Sequence, residues 1–150
     1  MPDPETIKRA QEDLREHRSP STAAGEFVRE EMHHIREGKH GATSTKQAIA
    51  IGLSKARRAG VPLQPPGDDA GAKTRQSAAR DSAVGQGRRR PKSPSGARSR
   101  ATSKVLKRKP HRAASHAALS AQARQTARRR GPKARKASAK KAAATRRRQD

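Results

Sequence analysis

Apolar side chains recur at helical spacing only in the first part of the chain. Ile7, Ala10 and Leu14 fall at i, i+3 and i+7. This narrow stripe predicts a helix over residues 4–17, with Asp3 as cap and Pro4 at its first position. Ser19-Pro20-Ser21-Thr22 reads as a turn and a helix start, and a second helix is expected over residues 22–37, ended by Gly38. At about 100° per residue, Ala24, Phe27, Val28, Met32 and Ile35 share one arc, with Glu26, Glu30, His33 and Glu37 opposite. Glu31 falls inside the apolar arc. Either it pairs with a basic residue of the next helix or the arc is slightly rotated, and the rotation is the simpler reading.

The third helix is the best delimited. Ser44 and Gln47 have the spacing of a capping box, Gly60 supplies a left-handed stop, and Pro62 blocks continuation. Over residues 45–59 a broad apolar face (Ala48, Ile49, Ile51, Gly52, Leu53, Ala56, Ala59) opposes Lys46, Gln47, Ser54, Arg57 and Arg58. Helix two therefore shows carboxylates to solvent and helix three shows cations. If they pack as a hairpin, helix three is the one suited to a polyanion. No strand pattern competes in this region.

Beyond the proline-stiffened boundary Val61-Pro62-Leu63-Gln64-Pro65-Pro66-Gly67 the pattern disappears. Of the larger apolar residues, only Val84, Val105, Leu106 and Leu119 remain. So few anchors cannot offset the ordering entropy of the segment. The expected fold is all-α: a small two- to three-helix head at residues 1–66, then a long disordered Lys/Arg/Ala/Pro-rich tail at 67–150. Residues 112–130 are Ala-rich and are expected to turn helical only once a partner neutralises their charge. A head this small buries a low fraction of its surface, so dimerisation or a protein partner through residues 22–60 is one way to stabilise it.

Charge sharpens the division. Residues 1–66 hold 11 Lys/Arg against 9 Asp/Glu, a net of +2, whereas residues 67–150 hold 26 against 4, a net of +22. The tail cations cluster as Arg88-Arg89-Arg90, Lys107-Arg108-Lys109, Arg128-Arg129-Arg130 and Arg146-Arg147-Arg148. Such blocks are usually interaction arms rather than mere solubilisers. A polycation of this density binds polyanions by counterion release. Neutralising only ~6–10 phosphates lowers affinity ~10³–10⁵-fold between 50 and 200 mM salt. Phe27 is the one aromatic residue, so single strands find no stacking platform. Duplex DNA is the expected partner, with RNA bound through its backbone as the alternative.

Other chemistry is thinner. Lys39, His40 and Lys46 surround the N-terminus of helix three, where free N–H groups and the helix dipole suit a phosphate, with Ser44 and Thr45 as added hydroxyls. An ordinary capped turn with solvated lysines is the simpler reading, and the Gly-x4-Gly-Lys-Ser/Thr order of a P-loop is missing. His33, His34 and His40 with Glu30 and Glu37 invite a metal reading. Glu30/His34 and His33/Glu37 also suit plain i, i+4 contacts, and no third strong ligand is fixed by sequence, so no metal and no cofactor is expected. No Ser/His/Asp set or carboxylate pair can be placed in a pocket, so no enzyme is expected. Phosphorylation within Pro91-Lys92-Ser93-Pro94 would weaken DNA binding, although an unmodified linker serine is the plainer reading. The chain has no cysteine, no secretory pattern at Met1-Pro2-Asp3-Pro4-Glu5 and no membrane-length apolar run. It also lacks the apolar anchors of a membrane-surface protein. A cytoplasmic, nucleoid-associated protein is expected.

The run from Phe27 through Gly38-Lys39-His40-Gly41, followed by Ser44-Thr45-Lys46-Gln47-Ala48-Ile49-Ala50-Ile51 and on to Gly60, resembles a family of small basic bacterial proteins. They carry labels such as plasmid stabilisation protein or DNA-binding protein, and their domain is of unknown function. The resemblance covers residues 22–63 and implies a role in plasmid stabilisation or nucleoid organisation, with no enzymatic activity and no transferable site residues. By composition, the tail resembles the Lys/Ala/Pro-rich arms of linker-histone-like bacterial proteins. The expected function is non-enzymatic, non-specific duplex DNA binding by the tail clusters, then by Lys39, Lys46, Arg57 and Arg58. The alternatives are an RNA- or ribosome-associated protein, or an interaction module of a plasmid-partition or toxin-neutralising system.

Overall fold

A computed structural model describes residues 2–91, 93 and 95–147. Its secondary structure is helical: α1 (Pro4–Arg15), α2 (Pro20–Arg36), α3 (Thr45–Arg58), α4 (Ala72–Gly85), α5 (Gly96–Lys107), a 3₁₀ turn (His111–Ala114) and α6 (His116–Arg146). Two compact units result, one from the N-terminus to Ala114 and one from Ser115 onward.

The local signals of the first three helices act as their chemistry dictates. Asp3 accepts the Glu5 N–H at 3.0 Å and Ser19 that of Thr22 at 3.3 Å, each followed by proline in the first turn. Ser44 accepts from Gln47 N at 3.2 Å, while the Gln47 carboxamide oxygen accepts from Thr43 N at 2.7 Å. Gly38 and Gly60 end α2 and α3 at φ of +74° and +92°.

Packing of α1 on α2 and of α2 on α3 builds the core from Ala10, Ala23, Ala24, Phe27, Ala56 and Val61, flanked by Ile7, Leu14, Leu53 and Leu63. The buried face of α3 is its small-residue face: Thr45, Ala48, Gly52 and Ala56. Ile49, Ile51 and Leu53 are only half-buried and Ala59 is exposed, which narrows the broad face expected from sequence. Close approach explains the choice. A Cβ on Gly52 would stand 2.8 Å from Val28 Cα and 3.0 Å from Val28 Cγ2, so the α2 backbone lies directly over this glycine.

The expectation of a long disordered tail is overturned. Residues 72–85, 96–107 and 116–146 are helical, and part of the segment packs onto the head. Alanine supplies the reason. It has the lowest helix cost, loses no side-chain entropy, and can be buried where no large residue would fit. Ala78 on α4, which packs against α3, and Ala113 and Ala114 in the 3₁₀ turn are all buried. Serine caps close two of these helices, Ser95 onto Arg98 N and Ser115 onto Ala118 N. The Ala-rich stretch 112–130 is thus already largely helical without a partner, and α6 continues beyond it.

Helix α6 is two helical segments meeting at Gly131, whose φ of 71° and ψ of 170° lie outside the helical region. Pro132 imposes this break, because it disfavours helical backbone in the residue before it. The conformation adopted is one open essentially to glycine alone.

Candidate functional site

The basic clusters occupy different settings. Arg128, Arg129 and Arg130 close the first segment of α6, Arg146 ends the second, and Arg147 is its C-cap; all five are exposed. Arg148 lies outside the described residues, as do Lys92 and Pro94 of the candidate phosphorylation stretch. Between residues 116 and 146 the sequence contains no acidic residue, and no residue of α6 is buried. Arg88, Arg89 and Arg90 are exposed just after α4, with Arg88 donating to Gln86. Lys107 and Arg108 are exposed at the end of α5, whereas Lys109 is half-buried, its backbone set against Gly41.

The cations of the head are mostly engaged within the protein. Arg57 donates to the Gln64 carbonyl at 3.2 Å. Arg58 donates to the Ser54 carbonyl at 3.3 Å and lies 3.8 Å from Asp81 on α4, which also accepts the Ser54 hydroxyl at 2.6 Å. Asp81 was legible as a lone acid in a basic stretch, complementary to the cations of α3. Lys39 pairs with Glu37 at 3.0 Å, and that contact holds the Glu37 carboxyl below its ordinary range. Lys46 is exposed in the first turn of α3.

The turn before α3 is covered by its own chain. Gly41 N donates to Leu106 O at 2.9 Å and Ala42 N to Pro110 O at 3.3 Å, while the Thr45 hydroxyl donates to Ala113 O at 2.7 Å. Arg36 reaches the Ala114 carbonyl at 2.9 Å. The segment leading out of α5 thus takes up the N–H groups of Gly41 and Ala42 and the Thr45 hydroxyl, while the Ser44 hydroxyl is engaged as the cap of α3 itself. Residues beyond 66 therefore cover part of this turn, while Ser44 and Lys46 stay exposed.

Beneath the turn lies a cluster that sequence reasoning dispersed. Glu31 is buried, with its Oε2 2.7 Å from Lys55 Nζ and its Oε1 3.2 Å from His40 Nε2. Of the two readings for Glu31, pairing with the next helix is the correct one. Lys55 stands on the same face of α3 as Ala48 and Gly52, opposite Glu31. Glu30, expected at the solvent face, is also buried; its Oε1 is 3.5 Å from Lys55 Nζ and 3.8 Å from His34 Nδ1, and its Oε2 accepts the Asp3 N–H at 3.2 Å. Neither Glu30 Oε1 nor Glu31 Oε2 has an aligned hydrogen-bond donor, so Lys55 meets them as an ion pair. Burial, followed by the charges of Lys39 and Lys55, pushes the His34 imidazole below its usual range despite the opposing pull of Glu30 and Glu31. Glu31, His34 and His40 each place a ligand-type atom within 4.8 Å of the others, whereas the His33–Glu37 pair remains on the exposed side of α2.

This geometry falls within the one stretch of the chain that matches a known family. Residues 20–65 match a family of unknown function (DUF6496). They carry α2, the turn and α3, hence every member of the Glu–His–Lys cluster. No curated protein and no solved structure matches the chain. Among the described residues, no helix is long and apolar enough to cross a membrane.

Proposed function

We propose that this is a non-enzymatic nucleic-acid-binding protein that engages duplex DNA through its C-terminal cations with little sequence preference. The supporting observation is α6, 31 residues in two helical segments with exposed cations from Arg124 onward, no acid and no buried residue. An α-helix is ~10–12 Å across with its side chains, and the major groove of B-DNA is ~12 Å wide. Alanines keep α6 slim. Arg128, Arg129 and Arg130 follow one another about 100° apart around the axis, with Arg124 on the side of Arg128, which suits phosphates on both walls of a groove better than a single flat surface. The deep, narrow major groove of A-form RNA does not admit such a helix, so the reading favours DNA. Arg88 to Arg90, Lys107 and Arg108 add exposed charge from the first unit. Plasmid stabilisation or nucleoid organisation, the setting implied by the resemblance, is a role that binding of this kind would serve.

The test is equilibrium binding of the full chain to duplex DNA, duplex RNA and single strands across a salt series. Replacing Arg128, Arg129 and Arg130 by glutamine should weaken duplex DNA binding. It should also lower the slope of log affinity against log salt by up to ~0.9 for each phosphate no longer neutralised. A slope and affinity untouched by those substitutions would remove α6 from the interface. Equal or tighter binding to duplex RNA would transfer the reading to RNA.

A further inference from the structure

We propose that Glu31, His34 and His40 form a binding site for one divalent transition-metal ion of the zinc class, seated between α2 and the turn that leads into α3. His40 is the key residue. Its Nδ1 lies 3.3 Å from the Gly41 carbonyl and its Nε2 3.2 Å from Glu31 Oε1. Both neighbours are acceptors. A neutral imidazole has one N–H and can satisfy only one of them. With Nδ1–H turned to the Gly41 carbonyl, the Nε2 lone pair faces the carboxylate, an arrangement that a cation between the two would satisfy.

The surroundings favour a metal ion. A ligating histidine characteristically donates its other N–H to a backbone carbonyl or carboxylate, which is the placement of His40 Nδ1 against Gly41 O. Two ligand atoms ~2.0–2.1 Å from a tetrahedral ion sit about 3.3 Å apart, close to the His40–Glu31 separation. Glu31-x-x-His34 has the i, i+3 spacing by which one helix face offers a carboxylate and an imidazole to a metal. The site is also short of positive charge. Glu30 and Glu31 bring two carboxylates into a buried space and Lys55 supplies one ammonium. Buried Glu30 Oε1 and Glu31 Oε2 lack aligned donors. With an ion bound, Glu31 Oε1 and the two imidazoles coordinate it, while Lys55 stays between Glu31 Oε2 and Glu30 Oε1. The mixed nitrogen and oxygen donor set selects zinc-class ions over calcium or magnesium. The ion would join the end of α2 to the turn covered by residues 106–114, and so would stabilise the first unit.

The experiment uses the full chain and Co²⁺ as a spectroscopic stand-in for Zn²⁺. One equivalent of Co²⁺ should give the intense visible absorption of a low-coordinate site, and Zn²⁺ should displace it and raise the midpoint of thermal unfolding. His34→Ala and His40→Ala should each weaken binding by at least ~100-fold, beyond the ~10–100-fold typical of outer-shell losses. His33→Ala, one residue away on the exposed side, should bind as the parent does. If a variant unfolds by circular dichroism, the parent still decides: Zn²⁺ must shift the imidazole resonances of His34 and His40 and leave the other four of the six histidines in place. No saturable Co²⁺ spectrum overturns the site. Full binding by folded His34→Ala and His40→Ala variants overturns it as well.

Discussion

The α2–α3 pair and helix α6 are built from similar side chains, arranged to opposite effect. In the first, the charged residues Glu30, Glu31 and Lys55 are drawn under cover and matched to one another. In the second, cations follow one another from Arg124 to Arg146 with no internal acid, and none is covered. The first helix pair owes its persistence to packing around Phe27, Ile35, Ala48 and Ala56. Helix α6 owes its own to alanine propensity, working against like-charge pairs such as Arg124/Arg128 and Lys136/Lys140, each unfavourable by ~0.2–0.5 kcal/mol. Charge that is satisfied internally specifies a fold. Charge left unsatisfied is available to an outside partner.

The contrast is most exposed at Lys55. Lys55→Met leaves two buried carboxylates without their cation and should destabilise the first unit by ~3–5 kcal/mol in urea unfolding. DNA affinity measured where the variant is still folded should change little. A loss below ~1 kcal/mol would mean that the pairing is not a structural necessity. Next comes Gly52→Ala, which drives a methyl group into Val28 and should cost ~1–3 kcal/mol by the same measurement. The third test concerns α6. Duplex DNA, or added sulfate as a simpler anion, should raise the helical circular dichroism signal by relieving repulsion, most visibly at low salt. In an Arg128/Arg129/Arg130→Gln variant this gain should shrink. The smallest effect is expected at Glu37. Its carboxyl is held low mainly by the Lys39 hydrogen bond, so the associated stabilisation is present above the ordinary carboxyl value of 4.5 and is lost as pH falls below it. Lys39→Gln should flatten acid unfolding slightly in that window.

Local chemistry was readable in the sequence; long-range choices were not. Asp3, Ser44, Gln47, Gly38 and Gly60 declare helix limits through their own backbone needs, and α1, α2 and α3 begin and end within two residues of where those signals place them. Glu31 shows the boundary of such reading. Its position on the apolar arc was visible, but its partner sits on another helix, and only the face shared by Lys55, Ala48 and Gly52 pointed to it. The helical tail was missed because anchorage was judged by large side chains, whereas Ala78, Ala113 and Ala114 pack where nothing larger would fit. The Glu31, His34 and His40 constellation stayed hidden for a related reason. His33/Glu37 and Glu30/His34 look equivalent in register, and tertiary packing decides which face is covered.

The break at Gly131 and Pro132 divides α6 into two helical segments, and under the proposed DNA binding each would be a separate grip. If the proposal holds, residues 132–146 would be tethered beside a duplex already held by residues 116–130, and two individually weak contacts would reinforce each other wherever both reach phosphate. Under the same proposal, one segment could detach while the other holds, and a competing duplex could capture the freed half. Exchange by that route would quicken as competitor DNA is added, whereas dissociation from a single grip would not. Replacing Gly131 by alanine would exclude this backbone conformation, change how the two segments meet and leave the cation count unchanged, so a change in competitor-dependent exchange would trace to the break.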